Sequence, residues 1–153
     1  GKTPVVGTTG ARFGCNMISA ISPKGAMRFM LVKGKINAAV FVDFLKRLMH
    51  NWPRSIFLII DGHPIHRSVA VSKFVASTGG QLQLFHLPPY SPELNPDEQV
   101  WNHLKNHGVG GQPVTGPGQL KRLIISHLRR VQKLPSLVRS FFNLPETAYA
   151  VVQ

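Results

Sequence analysis

The chain has 153 residues, 43% of them hydrophobic, with 18 Lys and Arg against 6 Asp and Glu for a formal charge of +12. That length suits one domain, and the apolar content excludes a disordered basic tail. No apolar run reaches the roughly 20 residues of a membrane span, and the single cysteine, Cys15, excludes a disulfide framework, so a reducing intracellular setting is the simplest reading.

Residues 1–12 are rich in Gly and Thr, include Pro4, and read as a loose or edge segment. Residues 13–21 and 26–32 are apolar, strand-like runs. Ser22-Pro23-Lys24-Gly25 between them has turn chemistry and predicts a β-hairpin. Residues 37–50 carry Val40, Phe41, Phe44, Leu45 and Leu48 at helical spacing, with Asn37 as N-cap. Residues 56–60, IFLII, have the pattern of a strand buried on both faces. A helix over 68–77 and a strand over 82–87 follow, then a stiff proline-rich loop over 88–92. Asn95-Pro96-Asp97-Glu98 opens a helix running to about residue 106. A Gly/Pro-rich connection over 108–118 leads to closing helices over 119–131 and 135–142. The order predicts a mixed α/β domain spanning 1–153, with a C-terminal helix and tail over 133–153.

The only acids are Asp43, Asp61, Glu93, Asp97, Glu98 and Glu146. Asp61 directly follows IFLII, and the carboxyl end of a sheet strand is where α/β proteins place reacting groups. A carboxylate there can bind a hard metal ion; the plainer local reading is that Asp61 serves a turn or caps the next helix. Glu98 falls at the third position after Asn95, a capping-box arrangement. Its alternative is a metal-ligand carboxylate held over the strand ends. Asp97 reads as a surface acid offsetting the helix dipole, Trp101 and Leu104 as a core face, and Asp43 as a solvated helix residue. His103 and His107 have zinc-compatible spacing, but no Glu stands between them in the HExxH order and Cys15 has no partner, so no zinc site is expected. Lys24, Arg28, Lys33 and Lys35 cluster around the hairpin. Lys105, Lys121, Arg122, Arg129, Arg130 and Lys133 lie on the later helices. Each alone is an ordinary surface charge; their excess points to a polyanion, nucleic acid first.

The segments LIIDGHPIHRS and LFHLPPYSPELNPDEQVWNHLK resemble the catalytic core of DDE transposases, in the branch of the bacterial insertion sequence six-thirty family related to mariner elements. The matching residues are Asp61 and His66, Leu87 through Pro92, Leu94 through Pro96, Glu98, Trp101 and Lys105. The resemblance is close over 56–105 and slight over the last 40 or so residues. It implies a ribonuclease-H-like mixed sheet flanked by helices. It also implies three acids holding two divalent ions, Mg²⁺ or Mn²⁺, for DNA cleavage and strand transfer. Asp61 would be the second acid and Glu98 the third. His66, Lys105, Lys33 and Lys35 are candidate DNA contacts, and double-stranded DNA is the expected partner, with a homodimer and a cytoplasmic, nucleoid-associated setting. Gly62 and Asp97 depart from the family pattern. No acid but Asp43 precedes Asp61, so the first acid and the first core strand are expected to be missing, and the isolated chain to nick DNA poorly if at all. The alternative function is a non-catalytic, basic nucleic-acid-binding remnant.

Overall fold

The computed structural model describes residues 3–12, 15–52, 54–88, 91–109 and 116–151. Five strands form one sheet: β1 (Thr3–Arg12), β2 (Cys15–Ile21), β3 (Met27–Val32), β4 (Ile56–Ile60) and β5 (Leu82–His86), in the spatial order β3-β2-β1-β4-β5. β1, β2 and β3 pair antiparallel, whereas β1, β4 and β5 run parallel. The mixed sheet flanked by helices is as expected. Two expectations are corrected. Residues 3–12 are not a loose or edge segment, and the sheet does not lack its central strand, because β1 fills that place between β2 and β4.

The packing explains why. Val5 and Val6 are both fully buried, one on each face of the sheet, as only a covered strand allows. Gly7 lies so close to β2 that a Cβ there would stand 2.9 Å from the Ser19 carbonyl oxygen. A glycine that reads as a turn signal in the sequence here permits close strand contact.

Helices α1 (Ala38–Met49) and α2 (Val69–Ser77) cover one face. Phe41, Phe44, Leu45, Leu48 and Val71 pack there on Ile18, Leu58 and Ile60. Both helices start as the sequence dictates: Asn37 Oδ1 accepts from the Val40 N–H at 2.9 Å, and Ser68 Oγ from the Val71 N–H at 3.3 Å. Helices α3 (Glu98–His103), α4 (Pro117–Gln132) and α5 (Pro135–Ser140) cover the other face. Val100, Trp101, Ile124, Leu128 and Val138 meet Val6, Met17 and Ile59 in that second core. The hairpin turn closes with the Gly25 N–H donating to the Ser22 carbonyl at 3.0 Å. Gly25 has φ +99°, and a Cβ there would lie 2.8 Å from Pro135. A last 3₁₀ turn, Pro145–Ala150, buries Ala150 in the second core, and the Tyr149 hydroxyl donates to the Leu94 carbonyl. Among the described residues, no helix is long and apolar enough to cross a membrane.

Candidate functional site

Strand alternation aims Asp61. Phe57 and Ile59 pack on the core under α3 and α4, and Leu58 and Ile60 on the opposite core. Asp61, one step beyond Ile60, therefore turns toward the α3 side. The parallel strands β4 and β5 end together there, and the crevice beyond them is where open α/β sheets bind ligands. A cleft of about 140 Å³ lies in that place. Asp61 and Gly62 line it from the end of β4, Leu87 and Pro88 from the end of β5, and Asn95 and Glu98 from the start of α3. The two acids singled out in the sequence thus face one cavity.

Asp61 is held from behind. Its Oδ1 accepts from the His63 N–H at 3.1 Å and lies 3.1 Å from His66 Nδ1, while its own side chain is 35% exposed. His66 Nδ1 is also 3.2 Å from the Asp61 carbonyl oxygen. Both neighbours of that nitrogen are acceptors, so Nδ1 carries the hydrogen. The His66 ring is buried and rests 4.4 Å from the Phe41 ring. His66 cannot touch a DNA backbone, which corrects that expectation; it orients Asp61. His63 Nδ1 accepts from the Ile65 N–H at 3.2 Å. Partial burial, then the nearby His66, lower the His63 pKa, opposed in part by Asp61.

Glu98 is placed by a local device that differs in detail from a capping box. Asn95 Oδ1 accepts from the Asp97 N–H at 3.0 Å, and Asn95 Nδ2 donates to the Gly7 carbonyl at 3.1 Å. Asn95 thereby ties the start of α3 to the central strand. Glu98 opens the helix, where the N-terminal dipole favours an anion. Asp97 is fully buried and accepts from the Ser19 hydroxyl on β2, so it is not the surface acid expected.

His86, the last residue of β5 and the partner of Ile60, was not singled out in the sequence. Its pKa is lowered, chiefly by burial and then by Arg67 and His66, against a raising hydrogen bond with the Asp61 backbone. Its position at a strand end beside IFLIID was the available signal. Lys105 is exposed on a π-helical turn, Leu104–Val109, that continues α3. Lys33 and Lys35 are exposed beyond the end of β3. Asp43 is exposed on α1, 3.3 Å from Arg47, and does not line the cleft that Asp61 and Glu98 share.

The donor set suits a hard cation. Two carboxylates with room for water match the oxygen coordination of Mg²⁺ or Mn²⁺. Among the described residues there is no group of three or more His, Cys, Asp or Glu able to hold a metal, and β1 carries no acid. The chain's own residues fit one such ion better than two.

A family model described as DDE superfamily endonuclease matches residues 1–116. No curated protein sequence matches the chain. Among solved structures, the chain is similar to the catalytic domain of Mos1 mariner transposase, with a TM-score of 0.61 and 16% identity over 97% of this chain and 83% of that one. It is similar to the Mos1 strand transfer complex at TM-score 0.60 and 17% identity, covering 97% of this chain and 55% of that one. A chain of the simian T-cell lymphotropic virus intasome gives TM-score 0.59 and 10% identity over 84% of this chain and 48% of that one. The chain thus spans about half the length of the longer neighbours. These likenesses establish the ribonuclease-H-like fold.

Proposed function

The chain belongs to the DDE superfamily endonucleases, and on that basis we propose that its cleft takes part in metal-dependent phosphodiester cleavage and strand transfer on double-stranded DNA during transposition. The observation that carries this reading is the convergence of Asp61 and Glu98, from the ends of two separate elements, on one cleft. Similar Mos1 structures contain Mg, Mn or a strand transfer complex, which supports the choice of ion and partner. The reading includes a homodimer on the DNA and a cytoplasmic, nucleoid-associated setting.

Asp61 and Glu98 would hold the ion, which when bound supplies Lewis-acid stabilisation at phosphorus and a more acidic water. The remaining residues prepare that site. His66 donates to Asp61 and fixes the carboxylate's orientation, as outer-shell partners of metal ligands do. Asn95 fixes the helix start that presents Glu98. Lys105, Lys33 and Lys35 supply phosphate contacts. With no acid on β1, this chain's site is incomplete for two ions, so DNA nicking by the chain alone is expected to be weak or absent.

The test is a Mn²⁺ titration followed by electron paramagnetic resonance. The expected result is saturable binding that weakens by about tenfold or more in Asp61→Asn and in Glu98→Gln. Binding unchanged in both variants would overturn the metal role. A second reading, a non-catalytic DNA-binding remnant, draws support from the lack, among the described residues, of a group of three or more side chains able to hold a metal. It requires metal-independent DNA affinity with no Mn²⁺ binding at the cleft.

A further inference from the structure

α4 has two unlike faces. Ile124, Leu128 and Val131 are buried in the core it shares with α3. Arg122, Ser126, Arg129 and Arg130 are exposed on its outer side and, with Ile125 and Lys133 just past its end, line an open groove of about 410 Å³. Four cations and no carboxylate line this groove. Among the described residues no ion pair joins any of the four to an acid, and the helix itself contains no Asp or Glu.

The fold alone accounts for part of this charge. Arg129 and Arg130 lie in the last helical turn, where the dipole favours cations. Arg122, near the other end, gains nothing from the dipole. Arg129 and Lys133 stand four residues apart with like charge, an arrangement that weakens a helix unless an anion intervenes. From Arg122 to Lys133 the stripe runs about 16 Å at roughly 1.5 Å per residue. A DNA duplex presents about ten phosphates over that length. No aromatic side chain lines the groove, so it offers no platform for stacking unpaired bases.

We infer that the outer groove of α4 binds the phosphodiester backbone of duplex DNA, at a surface separate from the Asp61–Glu98 cleft and without metal. The inference takes its partner from the DNA reading above but not its chemistry. The groove lies on the helix that shares its core face with α3, and no residue lines both it and the cleft.

The experiment uses the full chain and a fluorescent duplex of about 20 base pairs in EDTA, with salt varied from about 50 to about 200 mM. The triple variant Arg122→Gln, Arg129→Gln, Arg130→Gln is expected to bind at least about tenfold more weakly and to lose roughly 2–3 from the log–log salt slope. A control triple, Lys46→Gln, Arg47→Gln, Lys73→Gln, removes equal charge from α1 and α2 on the opposite face and is expected to change binding by less than about twofold. As a readout in the unaltered protein, duplex DNA is expected to protect Lys133 from acetylation and to leave Lys73 reactive. Equal losses in the two triples, an unprotected Lys133, or tighter binding of single strands than of duplex would overturn the inference. Because no metal is present, these outcomes do not depend on whether Asp61 and Glu98 hold an ion.

Discussion

His127 is a buried base with little to stabilise its charge. Its Nε2 lies 2.9 Å from His103 Nδ1, and its own Nδ1 has no hydrogen-bond partner. Burial first, then the charges of His103, Arg130 and His107, lower its pKa from 6.5 to about 4. A base whose folded pKa is depressed takes up its proton more readily in the unfolded chain. Its contribution is therefore intact above the unfolded pKa and is lost as pH falls toward the folded one. Between pH 6.5 and 4 the chain should lose on the order of 2–3 kcal/mol through this residue. Urea unfolding at both ends of that window is expected to show the loss, with a shallower dependence in His127→Leu; parallel profiles would rule the residue out as the source. A second residue-scale expectation concerns position 8. The register pairs Gly7 with Ile60, so Thr8 on the central strand stands level with Asp61. Thr8→Asp is expected to tighten Mn²⁺ binding by about tenfold, since affinity for hard cations grows with the count of carboxylate ligands. No gain in a titration would mean that position 8 does not reach the ion.

β1 shows how an element can be invisible in sequence yet central in space. Pro4, Gly7 and Gly10 are turn-forming residues, and no clean alternation marks the segment as a strand. What makes it a strand is supplied by others: β2 on one side, β4 on the other, and helices on both faces. Gly7→Ala would drive a methyl into the backbone of β2, which cannot yield as a side chain can. The expected cost is about 1–3 kcal/mol, seen as a lower thermal midpoint; an unchanged midpoint would show that the strands separate easily. The start of α3 was partly legible. Asn95 does organise it, but the helix begins at Glu98, and Asn95 spends its amide on Gly7, 88 residues away. Local sequence gives no sign of such a partner. The same holds for Asp97, whose buried position depends on Ser19 of β2. By contrast IFLII, the NAAVFVDFLKRLM helix and the Asp61 strand end were legible, because each records its environment in its own spacing.

At the scale of the molecule, the three layers divide the labour. α1 and α2 close one face of the sheet, while α3, α4 and α5 close the other and bring with them Glu98 and the basic stripe. The net charge of +12 made a polyanion partner legible from composition alone, but the grouping of Arg122, Arg129, Arg130 and Lys133 into one groove needed the helix and its orientation. The central place of β1 also bears on how the chain acquires its shape. Its hairpin partner β2 follows almost at once, whereas β4, which begins opposite Thr3 at Ile56, arrives only after β3 and α1. Parallel pairing across so long a separation pays its loop-closure entropy before any contact repays it. During synthesis the middle of the sheet is therefore left one-sided until β4 has emerged, and that interval is when a half-made copy is most exposed to sticking to its neighbours.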